Sequence, residues 1–236
     1  MDFNLYNSSR QALDWLIPRK CLICKARNPN QHHPCCDECY LSLPFQYSYC
    51  QQCGQALGRT EDVCGKCLSS PPQYDSCFCP FEYKSPISEQ ICAFKYSEQP
   101  ELAKSIAQLM CRELNDQAIE APQALIPVPL HIKRLRHRGF NQAKLLAKQI
   151  GKQLEIPVLA DAVVKTKATR AQVKQSLIQR KKNVTGSFQL KHKLRFNSIA
   201  IIDDVVTTGA TANEIAKILK KNGVDCVSIW GVAHTL

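Results

Sequence analysis

A chain of 236 residues, 44% of them apolar, has room for one large domain or for a small and a medium one. No stretch reaches the roughly 18 apolar residues that a bilayer crossing needs, and the first twenty residues place no basic leader ahead of an apolar core. The reading therefore predicts no export signal, no membrane insertion and a cytoplasmic chain. The formal charge of +11 is uneven: residues 1–80 hold 7 Lys/Arg and 7 Asp/Glu, so the whole excess falls in residues 81–236.

That imbalance, with a change of composition at the polar, proline-rich "SSPPQYDS", predicts two domains: a cysteine-rich module over 1–76 and a larger domain over 77–236. The chain has 14 cysteines. With no export signal a reducing compartment is expected, and metal explains them better than a disulfide framework. They pair as Cys21-x2-Cys24, Cys36-x2-Cys39, Cys50-x2-Cys53 and Cys64-x2-Cys67. Each spacing lets two thiolates converge on one tetrahedral ion, and Zn²⁺ is the usual occupant of an all-sulfur site. Consecutive sites (21/24/36/39 and 50/53/64/67) and interleaved sites both satisfy the coordination, and consecutive is favoured. Cys35, Cys77 and Cys79 are spare, and His32 and His33 are outside candidates. Four sulfurs leave no open position, so the metal is predicted to be structural, supplying folding free energy to a segment with little apolar periodicity.

Beyond residue 77 strand and helix patterns alternate, which predicts an α/β domain with a parallel sheet. Pro100 opens a helix whose buried stripe is Leu102, Ile106, Leu109 and Met110. "ALIPVPL", residues 124–130, reads as a short strand with prolines at its end. The basic loop "HIKRLRHRGFNQ" follows, and Asn141 caps a second helix with Ala143, Leu146, Ala147, Ile150 and Leu154 inward. Lys144, Lys148 and Lys152 form one stripe on that helix. Together with Lys133, Arg134, Arg136 and Arg138 they predict either a track for a nucleic-acid backbone or a mouth drawing in a polyphosphate. Residues 131–196 carry 17 Lys/Arg against Glu155 and Asp161 alone.

Residues 165–188 read as a long polar, basic lid or binding loop, with Arg170, Gln172, Arg180 and Asn183 its leading candidates. "IAIIDDVVTTGAT", Ile199 to Thr211, then carries the chemistry. Ile199 to Ile202 predict a central parallel strand, whose ligand belongs beyond its carboxyl end. Asp203 and Asp204 are read as stopping that strand. Thr207, Thr208, Gly209, Ala210 and Thr211 turn into a helix with Ala212, Ile215, Ala216 and Leu219 buried and Gly223 ending it. A turn entering a helix N-terminus offers unpaired N–H groups to a phosphate. Adjacent carboxylates repel phosphate, so they suit sugar hydroxyls or a divalent metal. A phosphorylated sugar satisfies both.

This stretch resembles the phosphoribosyl-diphosphate (PRPP) motif of type I phosphoribosyltransferases. With "IPVPLHIKRLRHRGFNQAKLLA", "RAQVKQSLIQRKKNVTGSF" and the cysteine pairs, the chain from Cys21 to Leu236 resembles the ComF/GntX family, whose members are linked to DNA uptake and natural transformation. The resemblance implies a type I phosphoribosyltransferase-like sheet flanked by helices and preceded by a small zinc module. It implies that Asp203 and Asp204 hold ribose hydroxyls at the catalytic position, that Thr207 to Thr211 hold the 5′-phosphate, and that Mg²⁺ bridges diphosphate and sugar. Arg138, Arg170 and Arg180 become candidates for the leaving group. Lys133, Arg134, Arg136, Arg138, Lys144 and Lys148 become candidates for single-stranded DNA, and a DNA-uptake helicase or recombination-loading protein is an expected partner. Hypoxanthine and guanine salvage enzymes of this fold place an Asp where Thr207 stands, which disfavours purine salvage here. An active transferase on another base, and a zinc-held adaptor without ligand chemistry, are the alternatives.

Overall fold

The structure, a computed structural model, describes residues 20–30, 33–58, 62–96, 99–166 and 184–235. By compactness the chain divides between Leu43 and Pro44. The division expected at 76/77 follows chemistry; compactness instead assigns Cys50–Cys67 to the unit that contains the sheet.

In the first unit the Cys21 N–H donates to the Ala26 carbonyl at 2.8 Å, Lys25 turns the chain with φ 61°, and helix α1 (Asp37–Leu41) starts directly after Cys36. The second unit repeats this plan. The Cys50 N–H donates to the Gln55 carbonyl at 2.8 Å, Gly54 turns the chain with φ 77°, and helix α2 (Gly65–Ser69) starts directly after Cys64. The second copy is tied into the larger unit: the Cys77 N–H donates to the Gln51 carbonyl at 2.9 Å, and a β-carbon on Gly54 would lie 2.8 Å from Cys77 Sγ.

The larger unit continues through β1 (Ser76–Phe78), β2 (Phe81–Glu82), α3 (Ile87–Tyr96), α4 (Leu102–Asp116), β3 (Ala124–Pro127), α5 (Ile132–Arg138), α6 (Gln142–Leu154), β4 (Val163–Lys165), β5 (Phe188–Leu190), β6 (Ser198–Val206), α7 (Ala210–Lys221) and β7 (Cys226–His234). The sheet order is β1-β7-β6-β3, with β2 beside β7, and every pairing in it is parallel. A parallel central strand is covered on both faces, and Ile199, Ala200, Ile201 and Ile202 are all buried. Helix α6 packs on β3 and β6, α4 packs on α6, and α7 packs on β7. Ile215 and Leu219 of α7 share one apolar cluster with Ile199, Ile201 and Ile229. Burying each such side chain contributes about 1.5–3 kcal/mol. Among the described residues no helix is long and apolar enough to cross a membrane.

Two local expectations are corrected. Asp203 and Asp204 do not end β6: the strand runs to Val206, with Asp203 opposite Gly231 and Val206 opposite His234. Ladder bonds use main-chain groups, so a carboxylate does not by itself stop a strand. Residues 132–138, read as loop, form the seven-residue helix α5, and the His131 side chain caps it by accepting from the Lys133 N–H at 3.2 Å.

Candidate functional site

The unequal lengths of β3 and β6 create the site. β3 follows β6 as far as Pro127 opposite Ile202, and the Val128 N–H donates to the Ile202 carbonyl at 2.9 Å. From Asp203 onward β6 keeps its pairing with β7, and a cavity of about 280 Å³ opens where β3 has ended. Such crevices at the carboxyl ends of parallel strands are where open α/β sheets bind ligands.

The cavity brings Asp203 and Asp204 together with Lys95 of α3, Arg134 and Arg138 of α5, Gln142 of α6, Lys165 of β4 and Thr211 of α7. Lys95 Nζ lies 3.0 Å from Asp204 Oδ1, and both side chains are largely buried. The Asp204 N–H donates to Asp203 Oδ1 at 2.9 Å. Burial first, and the neighbouring Asp204 second, push the Asp203 carboxyl up to about 7, against the opposing pull of Lys95 and of that N–H. Burial, then Arg134, hold the Lys165 ammonium below its ordinary range, with Asp203 opposing. Arg138 donates to Gln142 Oε1 at 2.9 Å and lies 5.1 Å from the centre of the Tyr96 ring. Asn141 fixes the start of α6, donating from Nδ2 to the Val128 carbonyl at 3.0 Å and accepting from the Lys144 N–H. With Lys95 on Asp204, the cavity sets Arg134, Arg138 and Lys165 around a carboxyl whose ionisation is pushed up, an arrangement for an anionic ligand with hydroxyl groups.

The other candidates are distributed around this centre. Thr208 and Ala210 line a second cavity beside the turn. Thr207 is exposed, and Gly209 is buried at φ 66°, a conformation that glycine adopts without strain. Lys133, Arg136 and Lys148 are exposed, while Lys144 holds Asp161 at 3.1 Å. Arg170, Gln172, Arg180 and Asn183 lie outside the described residues. The described ends of that loop are joined as antiparallel β4 and β5, Lys165 opposite Phe188. Sequence reading did not single out Lys95, Gln142 or Lys165. Lys95 carried a signal: Ile87, Ile91 and Phe94 are the buried face of α3, and position 95 continues that stripe where an apolar residue belongs.

The cysteines meet as two sets, 21/24/36/39 and 50/53/64/67, the consecutive arrangement. A sulfur tetrahedron around zinc at ~2.3 Å has edges of about 3.8 Å. The Cys24–Cys36 and Cys53–Cys64 Sγ separations are 3.9 and 3.8 Å. Burial opposes ionisation of Cys21, but N–H groups led by that of Cys36 outweigh it and bring the thiol to about 6. Cys50 is brought to about 7 against burial in the same way, led by the Cys64 N–H at 3.2 Å. Burial, then sulfur neighbours, push Cys39 and Cys67 far up. One thiol in each set ionises readily and others resist, so four thiolates at this spacing require a cation at their centre. The donor set fits structural zinc.

A family model described as "Double zinc ribbon domain" matches residues 12–68, and one described as "Phosphoribosyl transferase domain" matches residues 97–233. The chain is 34% identical over 222 residues to Competence protein F of Haemophilus influenzae, covering 91% of this chain and 96% of that protein. It is 31% identical over 224 residues to DNA utilization protein YhgH of Escherichia coli, covering 93% and 99%. Among solved structures, glutamine PRPP amidotransferase from B. subtilis, complexed with ADP and GMP, aligns at 14% identity with a TM-score of 0.40, over 59% of this chain and 30% of that one.

Proposed function

The chain belongs to the phosphoribosyl transferase domain family, in the group of Competence protein F and DNA utilization protein YhgH, and from that membership we propose a PRPP-binding protein that serves the uptake and processing of single-stranded DNA. The observation that carries the ligand half is the crevice beyond β3, where Asp203 and Asp204 lie among Lys95, Arg134, Arg138 and Lys165.

In this reading the ribose diol donates to the two carboxylates, the diphosphate lies against Arg134, Arg138 and Lys165, and the 5′-phosphate takes the N–H groups of the turn at the start of α7. Carboxylate oxygens suit Mg²⁺, which would be held by Asp203 and Asp204 and would offset charge on the diphosphate when bound. Asp203 accepts most strongly from the diol, from both oxygens, when it is ionised. Its carboxyl is pushed up to about 7, so PRPP affinity is expected to rise by up to tenfold per pH unit as pH approaches 7 from below and to level off above it. Calorimetry between pH 5.5 and 8.5 checks this, and a flat profile counts against Asp203 as an acceptor. Thr207 offers no carboxylate for base chemistry. Release of diphosphate from PRPP in the presence of candidate bases would instead favour the transferase reading.

The DNA half rests on what the relatives are named for and on the exposed cations Lys133, Arg136 and Lys148. A single strand bound there follows a salt dependence of about −0.7 per phosphate contact in log–log form. Replacing the three by Gln together is expected to reduce that slope by about 2 and to weaken binding uniformly across sequences. Fluorescence anisotropy at several salt concentrations reads both, and an unchanged slope removes this surface from the proposal. A DNA-uptake helicase or recombination-loading protein is the corresponding partner class.

A further inference from the structure

A second cavity, of about 230 Å³, lies between the second cysteine cluster and the Thr207–Thr211 turn, lined by Cys53, Lys66, Pro71, Tyr74, Thr208, Ala210, Asn213 and Glu214 among others. Tyr74 is 3% exposed, and among the described residues its hydroxyl has no hydrogen-bond partner. A β-carbon on Gly209 would lie 2.5 Å from that hydroxyl, so the unused donor sits directly against the turn. The hydroxyl lines the cavity with its donor unused, free to bond a ligand oxygen seated there.

The other groups are mostly donors too. The Gln73 N–H donates to Asn213 Oδ1 at 2.7 Å, so the amide is fixed with its NH₂ as the free end. Lys66 brings a positive charge from α2, and Ala210 opens α7, a helix of 12 residues whose N-terminus favours negative charge. The opposing acid, Glu214, is engaged: Oε2 accepts from the Gly186 N–H at 3.0 Å.

We infer that this cavity seats the phosphate monoester of a phosphorylated sugar, with Tyr74 and Lys66 from the zinc-ribbon side closing the cradle that the turn and α7 begin. The inference rests on the PRPP reading and adds two ligand-binding residues from outside the motif. Both are positioned by the second cysteine set: Lys66 stands between Cys64 and Cys67, and Tyr74 follows Cys67 on the short path into β1.

Ribose 5-phosphate is the probe, because it carries the monoester without the diphosphate, and ribose is its control. On the full zinc-loaded chain, Tyr74→Phe is expected to weaken ribose 5-phosphate about tenfold and Lys66→Met at least threefold, as one charge-assisted hydrogen bond each implies. Affinity for inorganic diphosphate stays unchanged. Should Tyr74→Phe fail to fold, the exposed Lys66 decides the matter alone. Unchanged ribose 5-phosphate affinity in the folded variants, while PRPP binding in the parent remains sensitive to Asp203→Asn, overturns this inference and leaves the PRPP reading standing. A parent protein that binds neither PRPP nor ribose 5-phosphate overturns both.

Discussion

Asp203→Asn combined with Asp204→Asn is expected to lower affinity for PRPP with Mg²⁺ by roughly a hundredfold or more, from the loss of two charge-assisted hydrogen bonds at about 1.5–3 kcal/mol each. The same change makes the cavity more positive, because Lys95 loses the carboxylate 3.0 Å away. Diphosphate without Mg²⁺ should therefore bind as well as before or more tightly. This divergence separates loss of the diol and metal seat from general damage, and calorimetry with the two ligands reads it. A parallel fall in both would mean that the variant is misfolded or that the acids serve only the architecture.

The single substitutions should part in stability. The Asp203 carboxyl is raised from 3.8 to about 7 in the fold, so the unfolded chain gives up its proton first and stability falls as pH rises through that window. Asp203→Asn removes this loss and should melt higher than the parent at pH 8, with no such advantage at pH 4. Asp204→Asn strands Lys95 in a largely buried position and should melt lower at neutral pH. Melting curves at the two pH values check the signs.

The larger stability effect is expected at the cysteines, and it should be lopsided. Structural zinc in small modules is worth about 10–16 kcal/mol of apparent binding free energy, against a total stability of about 5–15 kcal/mol for a typical domain. The 50/53/64/67 set belongs to the compact unit that holds the sheet, and the 21/24/36/39 set does not. Cys64→Ser should therefore abolish or severely lower the main cooperative transition. Cys24→Ser should release one zinc and leave that transition within a few degrees of the parent. Zinc content together with near-UV circular dichroism on heating distinguishes the two, and equal losses would contradict the division at Leu43/Pro44.

Much of this was legible in the chain. The Ile199–Ile202 run announced a central strand because a strand covered on both faces has no polar side to show. The cysteine spacings announced tetrahedral sites because two residues between thiols are enough to turn the chain around an ion. The path of β6 through Asp203 and Asp204 was hidden, since the β7 backbone pairs with main-chain groups whatever the side chains. Residues 132–138 read as loop because Ile132 and Leu135 alone are apolar among cations, and the His131 cap that favours α5 is a local hydrogen bond rather than a pattern. The cationic stripe on α6 looked uniform, yet Lys144 answers to Asp161. Lys95 and Tyr74 reach the site from chain segments far from the motif, and such long-range company leaves little trace in local sequence.

The two cysteine turns share a plan and differ in what they tolerate. At Lys25 a side chain tolerates φ 61° at modest cost, so that copy can accept further replacements. Its counterpart, Gly54, has Cys77 Sγ 2.8 Å from where a side chain would begin. A side chain is carried in one turn and shut out of the other by the strand beside it.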